Sequence, residues 1–181
     1  MNNFEHYPDK EIIDRITSGE SRLFEILVRR NNPYLYKVGR TYNFDHDDTQ
    51  DLMQEAFVEA YKNLSRFENR SSFRTWIIRI MLHQCYRKKQ KNGARHEVAK
   101  DLHDKSIPMF TNKHTDTNRM ILNRELGLII EQALQRLPED YRLVFLLREI
   151  TGLDVAATAE ALEISEGNVK TRLSRSKAML R

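Results

Sequence analysis

The sequence predicts an all-helical protein of two small units, and three observations carry that expectation. Glycine and proline are scarce, six and four in 181 residues, and apolar residues recur at helical spacing in several long segments. No segment alternates apolar with polar residues as a half-buried strand does. With 40% apolar and 31% charged residues the composition is that of a globular chain, which excludes collagen-like and wholly disordered classes.

Pro8-Asp9 opens a short first helix that Ser18-Gly19 closes. A second helix is expected from about Glu20 to Tyr42 and a third from about Asp47 to Leu64. After a loop from Ser65 to Ser71, a fourth runs from about Ser72 to Gln90 and ends at Asn92-Gly93. Residues 93–118 hold only seven apolar positions in 26, with Pro108 and no sustained period, and read as a linker. Helical pattern resumes from about Arg119 to Arg136. Pro138 suits the first position of the next helix, which Gly152 terminates, and Asp154 and Ser165 can each cap one further short helix. The expected organisation is a helical domain at 1–92, a flexible linker at 93–118 and a second helical domain at 119–181. Each core is small, so each domain is marginally stable alone.

The longest uninterrupted apolar run, Leu143 to Leu147, is five residues, whereas a membrane-spanning helix needs about 20. Met1-Asn2-Asn3-Phe4-Glu5 has none of the features of a secretory signal, so a cytoplasmic location without membrane insertion is expected. Cys85 is the single cysteine and cannot form an intrachain disulfide, and six scattered histidines without a second thiol argue against structural zinc. No metal and no cofactor are expected.

The net charge is +4, but the charge is unevenly placed. Asp45 to Glu59 contains six acids and no Lys or Arg, while Arg87 to Arg95 contains five basic residues and no acid. Such segregation points to two different partners.

At the carboxyl end, Asp154 to Leu162, the turn Glu163-Ile164 and Ser165 to Leu180 have the rhythm of a helix-turn-helix, with small Ala159 where the helices approach. Val169, Leu173, Ser176 and Leu180 share one stripe of the second helix, expected to face the core. Lys170, Thr171, Ser174, Arg175 and Ala178 share the other, a mixture of cations, hydroxyls and a methyl that suits a major groove. A solvated basic face on an ordinary helical hairpin would have the same periodicity. Glu163 stands where glycine is frequent.

In the third helix Asp48, Asp51 and Glu59 each fall within about 40° of Glu55 at 100° per residue. Met53, Phe57, Ala60, Tyr61 and Leu64 lie opposite, expected in the core, with Leu52 expected exposed at the border of the acidic stripe. A solvated face remains open as the plain reading. Against it, no Lys or Arg accompanies these acids at the spacing that stabilises a helix, and an exposed Leu beside charge resembles an interface anchor. One helix supplies all the carboxylates, so a metal site lacks convergence. The fourth helix is expected to bury Phe73, Trp76, Ile77, Ile80 and Met81. Thr75, Arg79, His83, Tyr86 and Gln90 form a second stripe, extended by Arg87, Lys88, Lys89 and Lys91, that suits single-stranded nucleic acid.

Four ordered segments then resemble one family: Asp51-Leu52-Met53-Gln54-Glu55-Ala56-Phe57; Phe67 with the loop to Ser72-Phe73-Arg74-Thr75-Trp76-Ile77; Leu137-Pro138-Glu139; and Glu166-Gly167-Asn168-Val169-Lys170-Thr171-Arg172-Leu173-Ser174-Arg175. They are similar to bacterial sigma factors of the extracytoplasmic-function type, across nearly the whole chain and in the right order. The resemblance implies a sigma region 2 domain, a linker and a sigma region 4 domain. It implies a transcription initiation factor, not an enzyme, that joins core RNA polymerase, melts the minus-10 promoter element and reads the minus-35 element. Asp48, Asp51, Leu52, Gln54, Glu55 and Glu59 would dock on the clamp helices of the largest polymerase subunit, and the carboxyl-terminal domain on the flap region. Arg66, Phe67, Asn69, Ser71 and Ser72 would form the pocket for a flipped minus-10 base, with Arg79, His83, Tyr86, Arg87 and Lys88 beside it. Ser165, Asn168, Lys170, Thr171, Arg172, Ser174, Arg175 and Lys177 would serve the minus-35 element. A cognate anti-sigma factor is implied as a further partner.

His83 and Arg87 depart from the residues common in the family, which implies an unusual minus-10 preference. Val155-Ala156-Ala157-Thr158 departs too, where an aromatic and paired glutamates are usual. Twenty-six linker residues reach roughly 90 Å when extended, enough for two promoter elements about one and a half duplex turns, roughly 50 Å, apart. The alternative is a stand-alone helix-turn-helix regulator without polymerase-melting activity, which leaves the acidic stripe and the fourth helix without a role.

Overall fold

A computed structural model describes residues 6–93, 109 and 117–181, and most of the expected linker falls outside these residues. The order is α1 (Asp9–Thr17), a 3-10 turn (Ser21–Leu23), α2 (Phe24–Thr41), α3 (His46–Asn63), a second 3-10 turn (Leu64–Arg66) and α4 (Phe73–Gly93). It continues with α5 (Thr117–Gln135), α6 (Glu139–Phe145), a π-helical turn (Leu146–Ile150), α7 (Val155–Leu162) and α8 (Glu166–Met179). Among the described residues there is no strand and no helix long and apolar enough to cross a membrane.

Local sequence explains the ends. Asp45, Asp154 and Ser165 cap α3, α7 and α8, their side-chain oxygens accepting from the backbone N–H groups of Asp48, Ala157 and Asn168. Pro138 sits at the N-cap of α6, one position before the one expected. Gly152, with φ +73°, lies between the π-helical turn and α7 in a conformation that suits glycine. Gly39 has a packing reason: an added Cβ would lie 2.6 Å from Thr49 Cγ2, so its absence lets α2 and α3 cross closely.

Helices α1–α4 enclose Ile12, Leu27, Leu35, Val38, Ala56, Ile77 and Met81. The segment from α5 to α8 contributes Leu134, Leu137, Leu143, Leu147, Leu153 and Ala161 to the same hydrophobic cluster, and Val144, Ala159 and Val169 form a small second one beneath the helix-turn-helix. One cluster thus runs through both halves, with α4 against α7 and α2 against α6. Across that boundary Arg40 Nη2 lies 3.0 Å from Glu131 Oε1, and the amide of Met109 donates to Glu131 Oε2. Gln135 donates to the Arg40 carbonyl, and Arg142 donates to Asn43 Oδ1.

Candidate nucleic-acid interface

Helix α3 presents Asp51 and Glu55 to solvent, as its periodicity predicts, and Gln54 is exposed with them. Two other members of the expected stripe are engaged: Asp48 lies 2.8 Å from Lys88 Nζ, and Glu59 accepts a hydrogen bond from Gln84. The exposure expected of Leu52 is corrected. It is 3% exposed, because it shares a face with Thr49 and Ala56, both buried. Tyr61 corrects the pattern in the other direction. Expected in the core, it is 45% exposed, with its ring 5.0 Å from that of Phe24. Val58, 52% exposed, is an apolar member of this surface that the helical pattern did not single out. The signal was present, since Val58 follows Asp51 by seven residues and Glu55 by three, which places all three on one side of a helix.

The loop before α4 is held by an aromatic group, Phe67 lying 5.0 Å from Trp76 and 6.0 Å from Phe73 between ring centroids. Asn69 adopts a left-handed conformation with φ 53°, and Arg66, Asn69 and Ser72 are exposed while Ser71 is half-buried. The Ser72 hydroxyl accepts from the Thr75 amide, and Thr75 itself is buried, which removes it from the polar stripe where periodicity had placed it. Arg79, His83, Tyr86 and Arg87 follow along α4. His83, Tyr86 and Arg87 are exposed and Arg79 is half-buried. Lys88 is turned aside toward Asp48, so one residue expected at the nucleic-acid surface and one expected at the partner surface bind each other.

Helix α8 follows the expected stripes. Val169 and Ser176 are buried, and Asn168, Lys170, Thr171, Ser174, Arg175 and Lys177 are exposed. The neighbouring helices steady three of its cations: Arg172 lies 3.1 Å from Asp140, Lys177 lies 2.9 Å from Glu149, and Arg175 donates to the Tyr141 hydroxyl at 3.3 Å. Ser165 works as a cap, its hydroxyl accepting from the Asn168 amide. A basic, hydroxyl-bearing face raised on a capped helix has the donors needed for phosphates and base edges.

Between the halves lie two groups that burial holds in their protonated forms. Burial, and then the Glu139 carboxylate, push the Cys85 thiol up to about 12. Burial likewise raises the Tyr42 phenol. Among the described residues no three His, Cys, Asp or Glu side chains group as metal ligands.

Family models of Sigma-70 region 2 and Sigma-70, region 4 match residues 27–95 and 127–180. The RNA polymerase sigma-H factor of Pseudomonas aeruginosa is 30% identical over 177 residues, covering 93% of this chain and 90% of the relative. The ECF RNA polymerase sigma-E factor of Escherichia coli K12 is 28% identical over 180 residues, covering 96% and 92%. In fold, the chain is similar to CnrH in complex with the cytosolic domain of CnrY, with TM-score 0.68, 24% identity and coverage of 95% and 94%. It is also similar to RpoE in complex with the anti-sigma factor NepR from Bartonella quintana, with TM-score 0.67, 20% identity and coverage of 87% and 93%.

Proposed function

The chain belongs to the sigma-70 family as an RNA polymerase sigma factor of the extracytoplasmic-function type, and from that premise we propose which of its surfaces perform initiation. As an alternative sigma factor it binds core RNA polymerase and directs promoter-specific transcription; it is an initiation factor with no catalytic step assigned to it. The proposed domains are 1–92 and 119–181, joined by 93–118, acting in the cytoplasm on core polymerase, with an anti-sigma factor as a further partner.

The clamp-helix docking surface is the exposed face of α3: Asp51, Gln54 and Glu55, extended by Val58 and Tyr61. Leu52 supports it from beneath, and Asp48 and Glu59 brace it against α4. The minus-10 strand is assigned to the loop Arg66, Phe67, Asn69, Ser71 and Ser72 with Arg79, His83, Tyr86 and Arg87. Aromatic and cationic groups there suit stacked or extruded bases and their phosphates. The minus-35 element is assigned to α8 through Lys170, Thr171, Ser174 and Arg175, with Arg172 and Lys177 toward the phosphate backbone. The exposed apolar side chains Leu126, Leu128 and Ile129 on α5 are assigned to the flap region.

The observation that carries this reading is the pairing, in one chain, of an exposed acidic and apolar face on α3 with an exposed basic reading face on α8. A stand-alone regulator has use for only the second. Transcription in vitro with purified core polymerase on a promoter library tests it. Sequence-selective transcripts that require this chain are expected; output equal to core polymerase alone would overturn it.

A further inference from the structure

The cations of α8 are held by partners of different charge. Arg172 Nη2 lies 3.1 Å from Asp140 and Lys177 Nζ lies 2.9 Å from Glu149, so each of these charges faces a carboxylate. Arg175 Nη1 donates instead to the phenol oxygen of Tyr141, at 3.3 Å. A neutral hydroxyl steers a guanidinium without cancelling its charge. Tyr141 is placed to act as a fixed post: it is half-buried at the start of α6, and its amide donates to the Pro138 carbonyl at 3.0 Å. Arg172, one turn before Arg175 on the same side of α8, is drawn to the neighbouring Asp140, which ties the two helices together at that point. Between them runs a groove of about 410 Å³, walled by residues 138–141 on one side and by Thr171, Arg172 and Arg175 on the other. The Arg175 guanidinium thus lies beside Thr171, a hydroxyl assigned above to the minus-35 bases.

We propose that Tyr141, outside the recognition helix, is a positioning residue for promoter reading: its hydroxyl holds the Arg175 guanidinium ready for a base edge of the minus-35 element. The inference rests on the assignment of α8 to that element. An arginine bound through two donors to guanine O6 and N7 is the commonest specific contact in a major groove, and it requires the planar fork to be presented edge-on. A long side chain that is free in solution gives up its rotamer freedom on docking, a cost of about two- to tenfold in affinity. Tyr141 imposes that loss before any DNA arrives. A guanine then gains the full contact while the other bases gain none of it, so discrimination sharpens at one base pair rather than affinity rising on every sequence. One donor of the fork goes to the phenol, which leaves the others for the base. A carboxylate in the place of the phenol would compete with guanine for the fork and repel phosphates; the phenol carries no charge to do either.

The test uses holoenzyme assembled from the full chain and purified core polymerase, with base preference read by selection from a promoter library randomised at the minus-35 element. Tyr141→Phe keeps the ring and removes the hydroxyl. Arg175→Ala is expected to lower the preference at one base pair by about tenfold or more. Tyr141→Phe is expected to lower it at the same base pair by about two- to tenfold, and to add nothing in the Arg175→Ala background, because the two residues act through one contact. A loss from Tyr141→Phe that is uniform over all sequences and persists in the Arg175→Ala background belongs to the fold or to a direct contact of the phenol with the DNA backbone, and overturns the proposal. A wild-type profile for Tyr141→Phe, where Arg175→Ala changes its base pair, overturns it too but leaves the assignment of α8 standing. A wild-type profile for Arg175→Ala removes Arg175 from the bases, and the role of Tyr141 with it.

Discussion

Lys88 Nζ of α4 lies 2.8 Å from Asp48 Oδ1 in the first turn of α3. The negative Asp48 is also well placed at the positive end of the α3 macrodipole. The pair fastens the start of the partner-facing helix to the nucleic-acid helix. Both side chains are about a quarter exposed, so the contact is better shielded than an ordinary surface pair. It also narrows the docking surface to the acids that remain available on α3.

Polymerase docking is therefore expected to depend on the outer face of α3. Glu55→Ala with Val58→Ala should weaken binding to core polymerase by about 2 kcal/mol or more, the range of interface hot spots, with little change in stability. Leu52→Ala acts through the core, and should lower the stability of the free protein by about 2–5 kcal/mol. Co-elution with core polymerase, run beside urea unfolding, checks both. Wild-type docking by the first variant would remove this face from the interface.

What the sequence disclosed, and what it did not, divides along the range of the forces involved. The caps Asp45, Asp154 and Ser165 act on their own helices within three residues, and their signals are local. The stripes of α8 were legible because Val169 and Ser176 answer to the helical period alone. Leu52 and Tyr61 stand near the border of the buried arc of α3, where the position of α2 and α4 decides which is covered, and a helical wheel contains no neighbours. The contacts of Lys88 with Asp48 and of His83 with Glu163 join residues 40 and 80 positions apart. No periodicity could place those partners together.

Recognition by α8 should separate into base and phosphate contributions. Thr171→Ala or Ser174→Ala should change the preferred bases of the minus-35 element, by about 1–3 kcal/mol per direct contact. Lys177→Ala should weaken binding alike on all sequences and make the salt slope shallower by about one unit. Selection from a randomised minus-35 library, with titrations at several salt concentrations, distinguishes them. An unchanged base profile for both hydroxyl variants would mean that another side of α8 enters the groove.

Cys85 should make stability fall in alkali. Its thiol is raised from 9.0 to about 12 in the fold, chiefly by burial and then by Glu139. Between those values the unfolded chain releases the proton and the folded chain keeps it. The contribution is thus fully present below about pH 9 and lost as pH rises toward 12, with a limiting slope of about 1.4 kcal/mol per unit. Cys85→Ala should start less stable and show a shallower decline from pH 9 to 11. Parallel urea midpoints for the two proteins over that range would contradict a protonated thiol in the fold.

Glu163 combines a backbone strain with a side-chain contact to His83, and their magnitudes predict which dominates. It ends α7 in the left-handed conformation, φ 54° and ψ 41°, where a Cβ crowds the following carbonyl and costs about 1–2 kcal/mol. Its carboxylate lies 3.3 Å from His83, but both side chains are more than 60% exposed, so that pair contributes at most a few tenths of a kcal/mol after screening. Glu163→Gly removes both and should leave the protein more stable by about 0.5–1 kcal/mol, since relief of the strain outweighs the weak attraction to His83 together with the added flexibility of the unfolded chain. Glu163→Ala removes the carboxylate yet keeps the Cβ, and should be no more stable than wild type. Urea unfolding of the three proteins isolates the strain as the difference between Gly and Ala, independently of His83. If that difference is absent, the turn relaxes around its Cβ, and the left-handed conformation at residue 163 carries no strain for glycine to relieve.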